Sequence, residues 1–207
     1  MTEKKCLSGV LRDRQGPLVE YRAEYLALPG RARAFGQQIA RRQAAAAARL
    51  VPLARQQRSL EGRGLFQPYR AQGTVSLTYD RGGLWSCTGD WYVSAGLQGS
   101  RQSRWAVILD RQGRRVLPEQ LFHILPPRNG LLEVIMPQAA ELARDGCTLY
   151  ANWPRLIRAG FSWRRCSLTE EGVAVWYPRC ALGPANAGLH SFLVPYNRLE
   201  SWLKRPL

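Results

Sequence analysis

Apolar and polar residues alternate along Pro17–Leu28, with Val19, Tyr21, Ala23 and Tyr25 on one side and Leu18, Glu20, Arg22 and Glu24 on the other. A period of two predicts a half-buried strand. Cys6–Arg12 predicts a strand before it, and Asp13-Arg14-Gln15-Gly16 the hairpin turn between them. The period then lengthens. Through Arg31–Leu60, Phe35, Ile39, Ala46, Leu50 and Leu53 fall near helical spacing, Ala44–Ala48 have the highest helix propensity, and Pro52 should kink or end the helix near Val51. Past the glycine-rich break at Gly62–Gly64, Phe66–Arg81 alternates again, and Gly82-Gly83 turns it into Leu84–Ala95, a strand rich in aromatics (Trp85, Trp91, Tyr92). Trp105–Asp110 is a strand with its turn at Asp110–Gly113, followed by a short strand at Arg114–Leu117 and a one-turn helix at Pro118–Phe122. Leu131–Ala143 is an amphipathic helix, irregular or split at Pro137 and capped by Gly146. Asn152–Ala159 is a short helix with Pro154 in its first turn.

The last stretch reads as strand, loop, strand, helix. Phe161–Leu168 pairs across Thr169–Gly172 with Val173–Tyr177, and Pro178 stops the ladder because it has no N–H to donate. Arg179–Gly188 is a shaped crossover loop, Leu189–Pro195 a second strand, and Asn197 the cap of a closing helix, Arg198–Lys204, with Leu199, Trp202 and Leu203 on one face. The expected fold class is α+β: antiparallel sheets with helices packed on one face, in two intimately associated subdomains. The expected division is a strand–strand–helix module over 1–62 and a larger α+β domain over 63–207.

Composition narrows the classes. The 207 residues are 45% hydrophobic with seven tryptophans, which excludes a disordered chain. No segment approaches the ~20 uninterrupted apolar residues of a membrane helix. Two lysines near the start have no apolar run behind them, so no secretory signal is expected and a cytoplasmic location follows. The formal charge of +15 favours acidic partners, and the helix face with Arg33, Arg41, Arg42, Arg49 and Arg55 makes nucleic acid an alternative partner. The charge is scattered, however, and contains no polybasic block. Five cysteines (Cys6, Cys87, Cys147, Cys166, Cys180) show no CxxC spacing, so no metal site or other cofactor is expected. Buried free thiols are the expected state, and Cys166 with Cys180 is the one pair placed for a disulfide.

The C-terminal run also carries a resemblance. Gly172, Tyr177, Pro184, Ala187, Gly188, Pro195, Tyr196 and Leu199 fall where the RsiV-type domain has a glycine turn, strand, proline-rich loop, second strand and Pro-Tyr before a leucine. Gly82-Gly83 and the run LDRQGRRVLPEQLF (109–122) add to it, so the resemblance spans about Phe66–Leu203. Cys6–Leu60 is similar, by element order, to the module that precedes this domain in PdaC-like proteins. The resemblance implies a bacterial domain of mostly unknown function, acting in sensing or binding. Two positions depart from the pattern: Ala185 replaces the loop tyrosine, and Leu84-Trp85 replace Ala-His. The lysozyme binding known for RsiV is not expected here, because a basic lysozyme would be repelled by this chain.

Chemistry is sparse. His123 and His190 are the only histidines, and no HExxH, GxSxG, GxxxxGK[ST] or GxGxxG run is present. The expectation is a non-enzymatic binding module for a protein or cell-envelope ligand. Its contacts are expected from the loops Gly82–Ser86 and Arg179–Gly188, with Trp85, Arg179, Leu182, Pro184, Asn186 and His190 as candidate binding residues.

Overall fold

The structure is a computed structural model, and it describes residues 2–62, 64–95, 99–123, 128–146 and 149–204. Strand β1 (Glu3–Asp13) turns through two residues into β2 (Gly16–Ala27), and the helices α1 (Arg33–Ala48) and α2 (Val51–Glu61) follow. The long strands β3 (Tyr69–Arg81), β4 (Leu84–Ser94) and β5 (Ser100–Asp110) come next, then the two-residue β6 (Arg115–Val116). After a 3-10 turn at Pro118–Leu121 come α3 (Arg128–Arg144), α4 (Trp153–Gly160), β7 (Cys166–Leu168), β8 (Gly172–Tyr177) and β9 (His190–Pro195). The strands make a six-stranded sheet ordered β1-β2-β3-β4-β5-β6 and a three-stranded antiparallel sheet ordered β7-β8-β9.

The α+β class holds, with one difference of topology. β2 and β3 run parallel, Val19 opposite Tyr69 through Ala23 opposite Gly73, so the large sheet is mixed rather than antiparallel. Parallel neighbours need a crossover longer than a hairpin, and α1 with α2 is that crossover. Two compact units are present, residues 1–76 with 89–104, and 77–88 with 105–207. They share β3, β4 and β5, whereas the expected division at 62/63 falls before β3.

In the first unit, the helices meet the sheet through small residues. The buried positions of α1 are Gly36, Ala40, Gln43 and Ala47, while Phe35 and Ile39 are only half-buried. In α2 the buried positions are Ala54, Gln57 and Arg58, and Leu53 is 54% exposed. A Cβ on Gly36 would overlap the Leu26 carbonyl oxygen, and one on Gly73 would overlap the Gln43 amide. Backbone therefore lies nearly on backbone, which leaves no room for the larger apolar face that helical spacing picks out. Pro52 sits in the first turn of α2, so the chain breaks at Arg49-Leu50 as the proline requires.

The second unit has its own core, formed by Tyr79, Leu84, Ile108, Phe122 and Leu131 with Ile135, Ile157, Leu168, Val173, Val175, Tyr177, Phe192 and Val194. Pro137 lies inside α3 without splitting it. The expected strand Phe161–Leu168 shortens to β7, with a 3-10 turn at Trp163–Arg165 before it. The expected closing helix is a pair of 3-10 turns, Tyr196–Arg198 and Glu200–Trp202, and the Asn197 side chain caps neither. Backbone bonds hold these turns in place: His123 N–H donates to the Trp202 carbonyl at 2.8 Å, and Lys204 N–H to that of Leu121 at 3.0 Å. Short backbone ties of this kind leave no periodic trace in the sequence. Cys6, Cys87, Cys166 and Cys180 are free thiols, so Cys166 and Cys180 do not pair. Cys6 and Cys180 are exposed, contrary to the expectation of buried thiols, and Cys147 lies outside the described residues.

Candidate functional site

The loop 178–189 closes a hairpin rather than a crossover, because β8 and β9 are antiparallel, with Tyr177 opposite His190. It is tied closely. Ala181 N–H donates to the Pro178 carbonyl at 3.0 Å, Tyr150 N–H to that of Leu182 at 2.8 Å, and Arg179 Nε to that of Ala185 at 2.7 Å. Cys180 takes φ +67°, the left-handed region that a non-glycine residue enters only where its surroundings hold it. Leu182 has no exposed surface and anchors the loop in the core. His190 is 5% exposed, and burial lowers its pKa, because charging it there would forfeit hydration. At the surface remain Asn186, exposed, with Arg179 and Pro184 half-buried.

The second expected loop fares similarly. Gly82 and Gly83, at φ +56° and +78°, make the two-residue turn between β3 and β4. Trp85 just beyond it is 2% exposed and lies under the Arg111 guanidinium, 4.5 Å from the ring centroid, while Arg111 pairs with Asp80 at 2.8 Å. Of the six expected contact residues, then, Trp85, Leu182 and His190 are core residues. Only Arg179, Pro184 and Asn186 are positioned to touch a ligand.

A concavity lies elsewhere, on the sheet of the first unit. It is an open groove of about 770 Å³ lined by Ser8, Gly9 and Val10 of β1, Glu20, Tyr21 and Arg22 of β2, Arg70, Ala71 and Gln72 of β3, and Tyr92 and Ser94 of β4. The strand registers explain this composition. Val10, Glu20 and Arg70 form one row across three strands, and Ser8, Arg22 and Gln72 form another. Between them the row Gly9–Tyr21–Ala71 supplies small residues and backbone as floor. Tyr21 lies across Gly9, where a Cβ would meet its ring at 2.8 Å, so glycine is what admits the aromatic there. Arg70 and Glu20 form an exposed pair at 3.7 Å, and Tyr92 is 41% exposed. The groove thus offers half-exposed aromatic and aliphatic surface rimmed by arginine, glutamate, glutamine and serine, a mixture suited to recognition. Sequence alternation marks Glu20 and Arg22 as the polar side of β2. The parallel register that sets Arg70 and Gln72 beside them has no signal of its own.

A second concavity of about 640 Å³ surrounds the β1–β2 turn and the end of α2. Here Arg58, buried, pairs with Asp13, with Arg55 at 3.6 Å from the same carboxylate. The Gln15 backbone N–H, then the Arg58 guanidinium, hold the Asp13 carboxyl below its ordinary pKa against a contrary push from desolvation. Gln57 accepts from the Tyr69 hydroxyl and donates to Glu61. Its polar groups already serve one another, so this cluster reads as a clamp between turn and helix. Among the described residues no group of three His, Cys, Asp or Glu side chains is placed to hold a metal ion. No described helix is long and apolar enough to cross a membrane.

No protein-family model matches the sequence, and no curated protein is similar to it in sequence. Solved structures do match. A DUF3298 family protein from Pseudomonas aeruginosa PAO1 superposes with a TM-score of 0.62 at 15% identity, covering 99% of this chain and 94% of that one. A member of the same family from Bacteroides fragilis superposes at 0.63 and 12% identity, with the same coverage. The fold is that of the DUF3298 proteins. Coverage this complete places both units, the groove-bearing sheet and the small three-stranded sheet, within the DUF3298 fold.

Proposed function

We propose that this chain is a non-enzymatic binding module of the RsiV-type kind its sequence resembles, taking a protein or cell-envelope ligand in the groove over β1–β4. The groove carries the reading: Tyr92 supplies stacking surface, Arg22 and Arg70 supply charge-assisted donors, and Glu20 and Gln72 supply acceptors. The loop residues Arg179, Pro184 and Asn186 are a secondary contact region, because they keep exposed surface on a loop tied by the Arg179 side chain to the Ala185 carbonyl. The test is capture of purified lysozymes and peptidoglycan fragments by the intact chain and by Tyr92→Ala and Arg70→Ala variants of unchanged thermal stability. A ligand retained by the intact chain and lost by both variants is expected. Equal capture by all three forms removes the groove from the reading, and lysozyme is the component expected not to bind.

Nucleic acid is the second reading, favoured by one observation. Arg33, Arg41, Arg42 and Arg49 of the first helix and its end are all exposed, and no ion pair described in the chain engages them. Arg55 differs, since it faces Asp13. Binding of random duplex DNA at ~50 mM salt that weakens steeply as salt rises supports this reading, and no binding at that salt removes it.

A further inference from the structure

The two sheets have four edges, β1 and β6 on the larger and β7 and β9 on the smaller. An unpaired edge is a row of N–H and C=O groups ready to accept another strand, and proteins commonly blunt it. Three of the four are blunted. β6 is only two residues long. At β9 the Gln138 side chain acts as a substitute strand: its Nε2 donates to the Leu193 carbonyl at 2.7 Å, and Leu193 N–H donates to its Oε1 at 3.1 Å. At β7 Leu168 N–H donates to the hydroxyl of the fully buried Ser86 at 3.0 Å. β1 has none of these devices. It runs eleven residues without a proline, is exposed along most of its length, and among the described residues no element pairs with its outer side.

We propose that the outer edge of β1 takes an extended, acidic segment of another protein as an added strand. Main-chain bonds supply affinity in such pairing, and the side chains along the edge choose the partner. Along this edge Leu7 and Val10 are 36% and 43% exposed, giving apolar contact beside the small residues Ser8 and Gly9. Lys4 and Lys5 stand at one end, and Arg12 and Arg14 at the other. At the first end Lys5 pairs with Glu3 and Lys4 with Glu24, whereas at the other Asp13 is held by Arg55 and Arg58 and no described ion pair engages Arg12 or Arg14. A second copy of the chain is a poor occupant. Overlapping the whole strand antiparallel with itself sets Lys4 against Arg12 and Glu3 against Asp13, and each chain brings a charge of +15. An acidic strand answers the Arg12–Arg14 end of the edge and the net charge together.

The probe is a fluorescent peptide of alternating glutamate and valine as long as β1, with two controls: the same peptide fully N-methylated, and one with lysine for glutamate. Binding is followed by anisotropy on the full chain, and amide hydrogen exchange is followed along β1. The glutamate peptide is expected to bind and to slow exchange within 4–12, and the lysine peptide not to bind. The N-methylated peptide, lacking main-chain donors, should lose at least about tenfold in affinity. Tyr92→Ala, three strands away in the groove, should leave peptide affinity within about twofold, which separates this edge from the groove reading. Equal affinity for the N-methylated peptide, or unchanged exchange in β1, overturns the proposal. So does a dimer whose β1 amides are protected without peptide, since the second copy would then be the occupant.

Discussion

The two sheets of this chain handle their boundaries in opposite ways. The three-stranded sheet is sealed: its outer strands end on Gln138 and Ser86, and its central strand β8 is buried at every position except the half-buried Ala174. The six-stranded sheet is left open, with a groove across β1–β4 and an eleven-residue edge facing water. The closing bonds of the small sheet come from far along the chain, 55 residues from Gln138 to Leu193 and 82 from Ser86 to Leu168. Sealing therefore depends on tertiary structure, whereas β1 and β2 form a local hairpin that needs no distant partner. The lesson is one of allocation: the part held by long-range bonds resembles scaffold, and the part held locally keeps its polar groups available.

The sealed edge should be the costly one to disturb. Gln138→Ala removes three hydrogen bonds, one to the Val134 carbonyl and two to the Leu193 backbone, which should cost about 3 kcal/mol in a urea or guanidinium titration. It also converts β9 into an open edge, so new concentration-dependent association is expected in sedimentation. A loss below about 0.5 kcal/mol would show that the Gln138 bonds do not seal the edge. Next is Val194→Thr, which places a hydroxyl at a position of β9 with no exposure and should cost about 2 kcal/mol.

His190 opens that same strand, and its effect is one of pH. Burial lowers its pKa, so folding favours the neutral ring. As pH falls below its ordinary value near 6.5, the unfolded chain takes a proton that the folded chain resists, and stability declines. The contribution is whole above that pH and is lost on the acid side. His190→Asn should flatten the stability profile in this window when melting is followed from neutral to mildly acidic pH. An unchanged slope would assign the pH dependence to other groups.

Much of the fold is legible in residue spacing, and the exceptions share a physical origin. The period-two runs mark β2 and β3, Gly82-Gly83 mark a tight turn, and Pro52 marks the break before α2, because each is decided by local backbone geometry, while the first five residues of β5 carry no such signal. The face of α1 is misread because hydrophobic spacing favours Phe35 and Ile39, whereas close approach to β2 selects Gly36, Ala40 and Ala47. The parallel pairing of β2 with β3 is set across a helical crossover, so alternation within either strand is silent on it. The candidate site suffers most. Trp85, Leu182 and His190 lie at or near turns, which suggests exposure, yet each is buried. Arg70 and Gln72 become groove residues only through the register with β2. Sites assembled by register are the hardest to find in a single sequence.

The smallest effect is the sharpest test of the contrast between edges. Val10→Thr makes on β1 the same chemical change that Val194→Thr makes on β9. Val10 is 43% exposed and lies opposite Glu20, so the new hydroxyl meets water rather than a packed interior. Threonine is also β-branched and keeps the strand preference of valine. Stability should therefore stay within about 0.5 kcal/mol of the parent chain. The glutamate–valine peptide should nevertheless bind more weakly, because its apolar contact at this point is lost. A variant that is destabilised as much as Val194→Thr would mean that something already covers β1 in the free chain. A variant with unchanged stability and unchanged peptide affinity would instead move the added strand away from Val10, toward the lysine end of the edge.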